Sequence, residues 1–352
     1  MKNTNIQWAD STINPVMGCN GCELWPSPAK IQTNLAQALA AAGAPAPDIR
    51  AVVAEVVGGR ATSEIYSARL QVAQELAGHF NLGKAAQVSL VDVIRLASKC
   101  YAGHLGTFRA GHKGYAESFE QPKLFPGRMA MAALWSPPSA LERSDKPWLL
   151  DAPRMIFVSD MGDALSSEVP FPYLKTEVID VVASEAGQRH LWLWLSKRPA
   201  RMAKFGHWLL AQGLSWPDNL VAMTTVTSQA TAGRIAELLK VPARFRGLSC
   251  EPVFGELNLN LAGIDWVIVG GGSDVLAEPF QVEWALGLRE QCRKAGADFF
   301  LKQLGKNPTY QGKPVVLPDQ HGGDWDAWPV TGWRTRQIPA QFRIKSRLKL
   351  AA

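Results

Sequence analysis

The chain has 352 residues and a net charge of +6; its 47% hydrophobic and 19% charged residues are typical of a folded protein with a large apolar core. No apolar run approaches the roughly 18 residues needed to span a bilayer. The N-terminal MKNTNIQWADST also lacks the apolar core of a signal peptide, so we expect a cytoplasmic protein without a membrane partner. Five cysteines, an odd and low number, argue against a disulfide framework and favour reduced or metal-bound thiols.

The first informative segment is NPVMGC-NG-C. Its cysteines lie in a loop that follows a plausible first strand at 13–18. Its two cysteines, Cys19 and Cys22, are two residues apart, which lets both sulfurs face one metal. Such a pair alone also serves redox and zinc sites. Cys100, in KCYAGH, is positioned to return a third thiolate to this loop. Three thiolates leave one iron of a 4Fe-4S cluster open, as chelation of S-adenosyl-L-methionine requires.

A closed zinc site is the competing interpretation of the same cysteines. His104 follows Cys100 by four residues and shares its face if the segment is helical, so three cysteines and one histidine would complete a structural zinc site. For Cys250 and Cys292 we favour ordinary buried thiols, because cysteine is among the most buried residue types.

Residues 23–99 are rich in alanine and have helical patterns, with breaks supplied by proline and glycine. We interpret them as an inserted helical subdomain. The predicted helices are KIQTNLAQALAAAG (30–43), PDIRAVVAEVV (47–57), SEIYSARLQVAQELAGHF (63–80) and SLVDVIRLASK (89–99).

From residue 155 onward, short apolar runs alternate with helical stretches, which is the pattern of a parallel βα fold. The runs are continuously apolar, as expected for strands buried on both faces. Segments 13–18 and 122–128 could add two more strands, so we predict a partial or full βα barrel. The six predicted strands are 155–160, 190–197, 219–227, 244–252, 265–272 and 298–305.

Polar residues gather where these strands end, which is where βα barrels place their chemistry. We predict that Ser159, Asp160, Thr225, Glu251, Gly270 and Gly271 bind the cofactor, and that Lys197, Arg198 and Lys302 are catalytic candidates. A carboxylate suits ribose hydroxyls or an ammonium group, and the cations suit a carboxylate or phosphate. The glycines permit a close backbone approach. Each charged residue could instead form a salt bridge that closes the barrel.

The C-terminal end carries six basic residues after Trp333 and no acidic ones. Such an arm could neutralise phosphates, and the preceding tryptophans could stack on bases. A solvated terminal strand beside core tryptophans explains the pattern equally well. The residues concerned are Trp325, Trp328, Trp333, Arg334, Arg336, Arg343, Lys345, Arg347 and Lys349.

Several sequence blocks, taken in order, resemble a phage- and prophage-encoded family with a three-cysteine motif, related to radical S-adenosylmethionine barrels. The resemblance covers residues 1–22 and roughly 100–305. The blocks are Asn14-Pro15-Val16 with Gly18-Cys19, Cys100-Tyr101-Ala102, Phe157-Val158 with Ser159-Asp160-Met161 and Asp163, Ser196-Lys197-Arg198-Pro199-Ala200-Arg201-Met202, Ser249 with Glu251-Pro252, Asp265-Trp266-Val267-Ile268-Val269-Gly270-Gly271, and Phe300 with Lys302-Gln303-Gly305.

One departure from that family concerns the cysteines. Its second and third cysteines usually lie two residues apart, whereas here 77 residues separate Cys22 from Cys100. The intervening helices must therefore bring their two ends together, which helical hairpins do readily. We predict three parts: a barrel with the iron-sulfur site (1–22 and 100–305), an inserted helical subdomain (23–99) and a C-terminal Trp-containing segment with a basic arm (306–352).

The resemblance implies a radical S-adenosylmethionine enzyme that generates a 5′-deoxyadenosyl radical and needs a reductant for its cluster. A phage origin, the basic arm and the tryptophans favour a nucleic-acid base or nucleotide as substrate, such as an amino-acid-bearing thymidine isomerised during DNA hypermodification. Two alternatives remain. One is a zinc-stabilised nucleic-acid-binding protein without catalysis, and the other is a radical enzyme that acts on a small metabolite or peptide.

Overall fold

We describe a computed structural model of the chain over residues 3–274 and 277–343. The chain divides into two compact units. The first contains the residues up to Pro15 and those from Phe125 onward, and the second is Val16–Leu124. The second unit therefore interrupts the first in sequence. The boundaries predicted above, at residues 22, 99 and 305, stay a prediction.

The strands, in chain order over the described residues, are β1 (Ser11–Ile13), β2 (Val16–Met17), β3 (Lys123–Leu124), β4 (Arg154–Val158), β5 (His190–Ser196), β6 (Leu220–Thr225), β7 (Arg246–Cys250), β8 (Trp266–Gly270), β9 (Phe280–Gln281), β10 (Asp298–Gln303), β11 (Pro308–Tyr310) and β12 (Lys313–Pro314).

The α-helices are α1 (Pro28–Ala41), α2 (Ile49–Val57), α3 (Thr62–Ser67), α4 (Arg69–His79), α5 (Lys84–Ala97), α6 (Tyr101–Phe108), α7 (Arg128–Ala133), α8 (Phe171–Leu174), α9 (Asp180–Ala183), α10 (Glu185–Gln188), α11 (Pro199–Ala211), α12 (Arg234–Leu238) and α13 (Val282–Ala295). A π-helical segment, Lys175–Ile179, joins α8 to α9.

The first unit is built on a curled sheet of seven parallel strands that forms a partial βα barrel. Its strand order is β1-β4-β5-β6-β7-β8-β10, and helices α11, α12 and α13 connect successive strands. Strands β4, β6 and β8 are buried along their whole length, in agreement with their continuous apolar runs. All six strands predicted between residues 155 and 305 are present, so the parallel βα prediction is confirmed in its coarse form.

The two additional strands were predicted less well. Of the first predicted segment, 13–18, only Ile13 lies in the parallel sheet, in β1 (Ser11–Ile13), which pairs with β4; Val16–Met17 form β2 instead. The segment 122–128 does not join the parallel sheet, which corrects the prediction. Its strand, β3, pairs antiparallel with β2 in the second unit. Proline and glycine at Pro126 and Gly127 end β3 after two residues, because proline cannot donate a ladder hydrogen bond.

The core of the first unit lies against one face of this sheet. Alternate positions of each strand supply it, such as Met155 and Phe157 of β4 and Trp266 and Ile268 of β8. This spacing of two follows from the pleat, which sends successive side chains to opposite faces. Trp8, which precedes β1, packs on Phe157 with ring centroids 4.6 Å apart. The N-terminal segment is therefore fixed against the sheet.

The C-terminal segment covers the edge strand β10. Leu301 N–H donates to the Thr335 carbonyl (2.7 Å), and the Arg336 guanidinium lies 4.2 Å from the ring centroid of Trp148 and 4.7 Å from that of Trp325. Burial lowers the pKa of Arg336 to about 10. Trp328 is only 2% exposed. The burial of Trp328 agrees with the core-packing alternative, whereas Trp325 is only partly buried and its predicted stacking role stays a prediction.

The remaining residues of this C-terminal segment are partly buried, partly paired with carboxylates and partly outside the described residues. Trp333 is 3% exposed and thus unavailable to bases as well. Arg334 pairs with Asp326 (3.3 Å) and Arg343 with Asp151 (3.1 Å). The positions Lys345, Arg347 and Lys349 lie outside the described residues. The phosphate-binding arm therefore stays a prediction.

The second unit consists of α1 to α6 with the short β2–β3 pair. Helix α1 packs against α2 and α5, and α4 packs against α5. The buried residues of α1, Ile31, Leu35 and Leu39, recur every four positions, as expected for one apolar face of a helix. The four helical stretches predicted for 30–99 are all helical here, and the third is divided into α3 and α4 at Ala68.

Across the part of the chain that the structure describes, no helix combines the length and the apolar character that crossing a membrane demands.

Candidate functional site

The carboxyl ends of the parallel strands carry the polar residues predicted from the sequence, and we call this set of loops the strand-end region. At the end of β4, Ser159 is 6% exposed, and its hydroxyl has no hydrogen-bond partner in the described structure. Buried hydroxyls are nearly always paired, so an orphan of this kind indicates a position where a ligand group can bind.

Asp160 is fixed by Asn14, which follows β1. The Asn14 amide donates to Asp160 Oδ1 (2.5 Å), and its own oxygen accepts from the Met161 N–H (2.9 Å). One side chain therefore ties together the ends of two neighbouring strands. This role was not predicted from the sequence, although asparagine is common in turns that follow a strand.

Asp163 organises the loop after β5. Its carboxylate accepts hydrogen bonds from the Ser196 hydroxyl (2.8 Å), the Lys197 N–H (3.1 Å) and the Arg198 guanidinium (2.9 Å). The Leu165 N–H donates to it as well (3.0 Å). Asp163 and Arg198 thus form an ion pair of which the carboxylate is 8% exposed. This contact matches the structural alternative considered above for Arg198.

Glu251 and Lys302 were predicted separately, and the structure pairs them across β8. The Lys302 ammonium donates to Glu251 Oε1, and both side chains are 17% exposed. Gly270 lies between them, where a Cβ atom would come within 3.5 Å of Glu251 Cγ and 3.2 Å of Gln303 Cγ. A side chain at Gly270 would thus be crowded by Gln303 and in ordinary contact with Glu251. Thr225, at the end of β6, is buried, and its carbonyl accepts from Arg234 (3.0 Å).

The glycines after β8 are crowded by the chain itself. A Cβ on Gly271 would lie 2.5 Å from the Leu304 carbonyl oxygen and 2.9 Å from Phe280. The Gln303 amide also donates to the Gly271 carbonyl (2.9 Å). The space beside Gly271 is therefore filled by Leu304 and Phe280 of the protein itself.

The three candidate ligand cysteines belong to the second unit, and we call their surroundings the cysteine region. Cys22 pairs with Trp25 through two backbone hydrogen bonds of 3.0 Å. The Trp25 ring lies directly on Gly103 of α6, where a Cβ would be 2.4 Å from it. Cys100 caps this helix and accepts from the Gly103 N–H (3.4 Å). The loop of Cys22 and the start of α6 therefore share one packing centre.

Cys19 is attached to the same centre through Phe119. The Cys19 N–H donates to the Phe119 carbonyl (2.7 Å), and the Phe119 ring packs edge-on against Trp25 at 5.5 Å. Gly18 has a φ of +89°, and a Cβ there would lie 2.6 Å from the same carbonyl, so only glycine fits. The chain therefore enters the cysteine loop through a turn that glycine permits.

Glu120 holds the packing centre together. Its carboxylate accepts from Trp25 Nε1 (2.8 Å), from the Ser63 N–H (2.8 Å) and hydroxyl (2.6 Å), and from the Ser118 hydroxyl (2.8 Å). Burial alone would raise the pKa of Glu120, but these hydrogen bonds from Ser63, Trp25 and Ser118 outweigh it and lower the pKa below its usual value. The sequence analysis missed this residue.

His104, the fourth ligand of the zinc alternative, is packed among aromatic rings. Its ring stacks on Tyr66 at 4.5 Å, and its Nε2 atom is hydrogen-bonded to the Ser98 carbonyl. This nitrogen already contacts a backbone carbonyl and would have to leave it to bind a metal. Among the described residues, no set of three His, Cys, Asp or Glu side chains is arranged to hold a metal ion, and this includes the three cysteines of the cysteine region.

Cys250 and Cys292 behave as predicted for ordinary buried thiols. Both lie in the first unit, free and buried. Burial raises the pKa of both thiols, that of Cys292 to about 12, so neither forms a thiolate readily. The cysteine region differs, because backbone N–H groups donate to the Cys22 (3.4 Å) and Cys100 (3.4 Å) sulfurs.

Fold and site together define a protein with a partial parallel βα barrel, a polar strand-end region and a second unit that carries Cys19, Cys22 and Cys100. Residues 95–330 match the family described as "Protein of unknown function (DUF5131)", and the chain belongs to this family. No curated protein matches the chain, and no solved structure matches it.

Proposed function

We propose that the protein is a radical S-adenosylmethionine enzyme whose 4Fe-4S cluster is held by Cys19, Cys22 and Cys100. The observation that carries the proposal is the shared packing centre of the cysteine region. The Trp25 ring links the Cys22 loop to the helix that begins after Cys100. Residues far apart in sequence are thereby brought to one small part of the second unit.

The donor chemistry of the cysteine region fits an iron-sulfur cluster. The region offers three thiol side chains, and N–H groups of Leu24 and Gly103 donate to two of the sulfurs. Such hydrogen bonds stabilise thiolates and tune the potentials of clusters. When bound, a three-thiolate cluster supplies the electron for reductive cleavage of S-adenosylmethionine, which yields a 5′-deoxyadenosyl radical; an external reductant must supply that electron.

The strand-end region supplies groups suited to the polar parts of S-adenosylmethionine. The orphan Ser159 hydroxyl and the Asp160 carboxylate, which Asn14 orients, would bind ribose hydroxyls or the methionyl ammonium. The half-buried Lys302–Glu251 pair offers a cation and a carboxylate at the ends of β10 and β7. We assign these residues to binding and positioning, with Lys197 and Arg198 directed to an anionic group of the substrate.

The class of the protein is tested by anaerobic purification with iron, sulfide and zinc analysis, followed by reduction with S-adenosylmethionine. We expect about four irons and four sulfides per chain, and formation of 5′-deoxyadenosine. Cys19→Ala, Cys22→Ala and Cys100→Ala should each lose the cluster and the cleavage activity. Cys292→Ala, which removes a buried thiol elsewhere, should keep both.

Two results would contradict the proposal. One is a full equivalent of zinc without labile sulfide, which would favour the structural zinc site. The other is an iron content that the three cysteine variants leave unchanged. For the substrate we propose a nucleic-acid base or nucleotide, so 5′-deoxyadenosine formation should rise with modified DNA. If DNA, RNA and nucleotides all fail to stimulate it, a small metabolite or peptide becomes the better candidate.

A further inference from the structure

A basic cleft opens beside the strand-end region of the first unit. Its volume is about 650 Å³, and it lies between the first turns of α11 and the segment that begins α12. Five cationic side chains and one carboxylate line it: Lys197, Arg198, Arg201, Lys204, Arg234 and Glu237. Positive charge therefore dominates the lining.

Part of this charge is already neutralised within the protein. Arg198 is paired with Asp163 (2.9 Å), and Glu237, the carboxylate of the lining, is paired with Lys240 (2.6 Å). Glu237 is therefore shared with a lysine that does not line the cleft. The lining itself therefore holds five cations and one carboxylate, and that carboxylate is paired outside the cleft.

Arg201 is the clearest case of a cation held by neutral groups. Its guanidinium donates to the carbonyls of Ser167 (3.1 Å) and Val169 (2.8 Å) and lies 4.8 Å from the ring centroid of Phe171. Its Nε atom is buried without a hydrogen-bond partner in the described structure. Burial lowers the pKa of Arg201, and the nearby Arg198 acts in the same direction while Glu168 opposes it. A bound anion would offset this desolvation.

The fold adds a second source of positive potential. Helix α11 has 13 residues and begins at Pro199, directly after Lys197 and Arg198 at the end of β5. The first turn of a helix presents unpaired N–H groups and the positive end of its dipole. A strand followed at once by such a helix is a common setting for phosphate binding.

We propose that this cleft binds a phosphate group of a nucleotide unit, either from the backbone of a DNA strand or from a free nucleotide. Arginine and lysine together suit phosphate, and the volume is that of a small-molecule site. The choice of a nucleotide rests on the proposed function, whereas the affinity for phosphate follows from the cleft alone. Lys204 is exposed in the lining and is the residue best suited to a test.

The experiment measures binding of a fluorescein-labelled single-stranded DNA oligonucleotide by anisotropy, with the full chain and its Lys204→Glu variant. We expect the variant to bind about tenfold more weakly and to have a reduced salt dependence, since one phosphate contact would be lost. Lys294→Glu is the matched control. It makes the same charge change on α13, where the lysine is 70% exposed and 3.7 Å from Glu290, and it should bind within about twofold of the unmodified chain.

Competition identifies the source of the phosphate. If thymidine 5′-monophosphate displaces the oligonucleotide and thymidine does not, the cleft takes a free nucleotide phosphate. If neither displaces it while Lys204→Glu still weakens binding, the cleft takes the DNA backbone. Equal losses in Lys204→Glu and Lys294→Glu would overturn the proposal, as would unchanged binding by a Lys204→Glu variant with an unaltered circular dichroism spectrum.

This test is independent of the cluster. Cys19→Ala should retain oligonucleotide binding, because Cys19 belongs to the other unit. If the protein holds no iron and yet binds DNA through Lys204, the proposed function fails and the phosphate cleft stands. If the protein cleaves S-adenosylmethionine and Lys204→Glu binds DNA normally, the proposed function stands and the phosphate cleft fails.

Discussion

Each unit of the protein is organised by a carboxylate that accepts several hydrogen bonds, but the donors differ in kind. In the first unit, Asp163 accepts from the Lys197 N–H and the Arg198 guanidinium as well as from the Ser196 hydroxyl. In the second unit, the donors to Glu120 include two hydroxyls. A hydroxyl can rotate to become an acceptor, whereas a backbone N–H and a guanidinium can only donate.

The comparison shows how firmly each carboxylate is required. The donors to Asp163 include a full positive charge, and Asp163 is 6% exposed, so they need a negatively charged acceptor. The donors to Glu120 carry no formal charge, and half of them can reorient. We therefore expect an isosteric amide to be far less tolerated at the strand-end region than in the cysteine region.

Asp163→Asn should have the largest effect on stability. An amide NH2 in place of Oδ2 would face both the Lys197 N–H and the Arg198 guanidinium, and in place of Oδ1 it would face the Leu165 N–H; none of these groups can accept a hydrogen bond. We expect a loss of about 3 kcal/mol in the free energy of unfolding, measured with urea, as for a broken buried ion pair. Asp180→Asn is the control. That carboxylate is 43% exposed beside Lys175, and its loss should cost less than about 1 kcal/mol.

If both substitutions cost the same, the fixed donors around Asp163 do not matter as argued. If Asp163→Asn also changes oligonucleotide binding, the loop of Lys197 and Arg198 is coupled to the phosphate cleft.

Gly103→Ala should come next, because it tests the packing centre of the cysteine region. A methyl group there would lie 2.4 Å from the Trp25 ring, which is only 1% exposed and therefore has little room to move. We expect a loss of about 2 kcal/mol from overpacking, together with a lower iron content. Gly78→Ala in α4 is the matched control. No atom lies within 4 Å of its added methyl, so that helix should gain about 0.5–1 kcal/mol.

A Gly103→Ala protein as stable as the unmodified chain would show that Trp25 moves freely. The link between the Cys22 loop and α6 would then lose its support.

The parallel sheet could be predicted from the sequence because its signal is local. Runs such as MIFV and WVIVG are apolar at every position, and each is followed by a helical stretch. Segment 122–128 was misread because a strand of two residues carries almost no pattern and its partner is chosen by tertiary structure. The strand pattern predicted that polar residues would lie at the strand ends, but the pairing of Lys302 with Glu251 joins residues 51 positions apart and leaves no local pattern in the sequence.

The role of the C-terminal tryptophans could not be decided from the sequence. Trp325 and Trp328 precede a basic segment, and the sequence alone allows either base stacking or core packing. Their actual role depends on Arg336, which enters the aromatic cluster from a segment that pairs with β10. Glu120 was missed for a similar reason, since its three donor residues come from separate parts of the second unit.

Glu120→Gln should have the smallest effect of the three substitutions, about 1 kcal/mol. The Gln oxygen can keep the hydrogen bonds from Trp25 and the Ser63 N–H, while the hydroxyls of Ser63 and Ser118 turn to accept from the new amide. Glu117→Gln, which changes a 68% exposed carboxylate beside Lys123, is the control and should alter the free energy of unfolding by less than about 0.5 kcal/mol. A loss at Glu120 as large as that at Asp163 would mean that charge, rather than the fixed direction of the donors, decides how strongly each unit depends on its carboxylate.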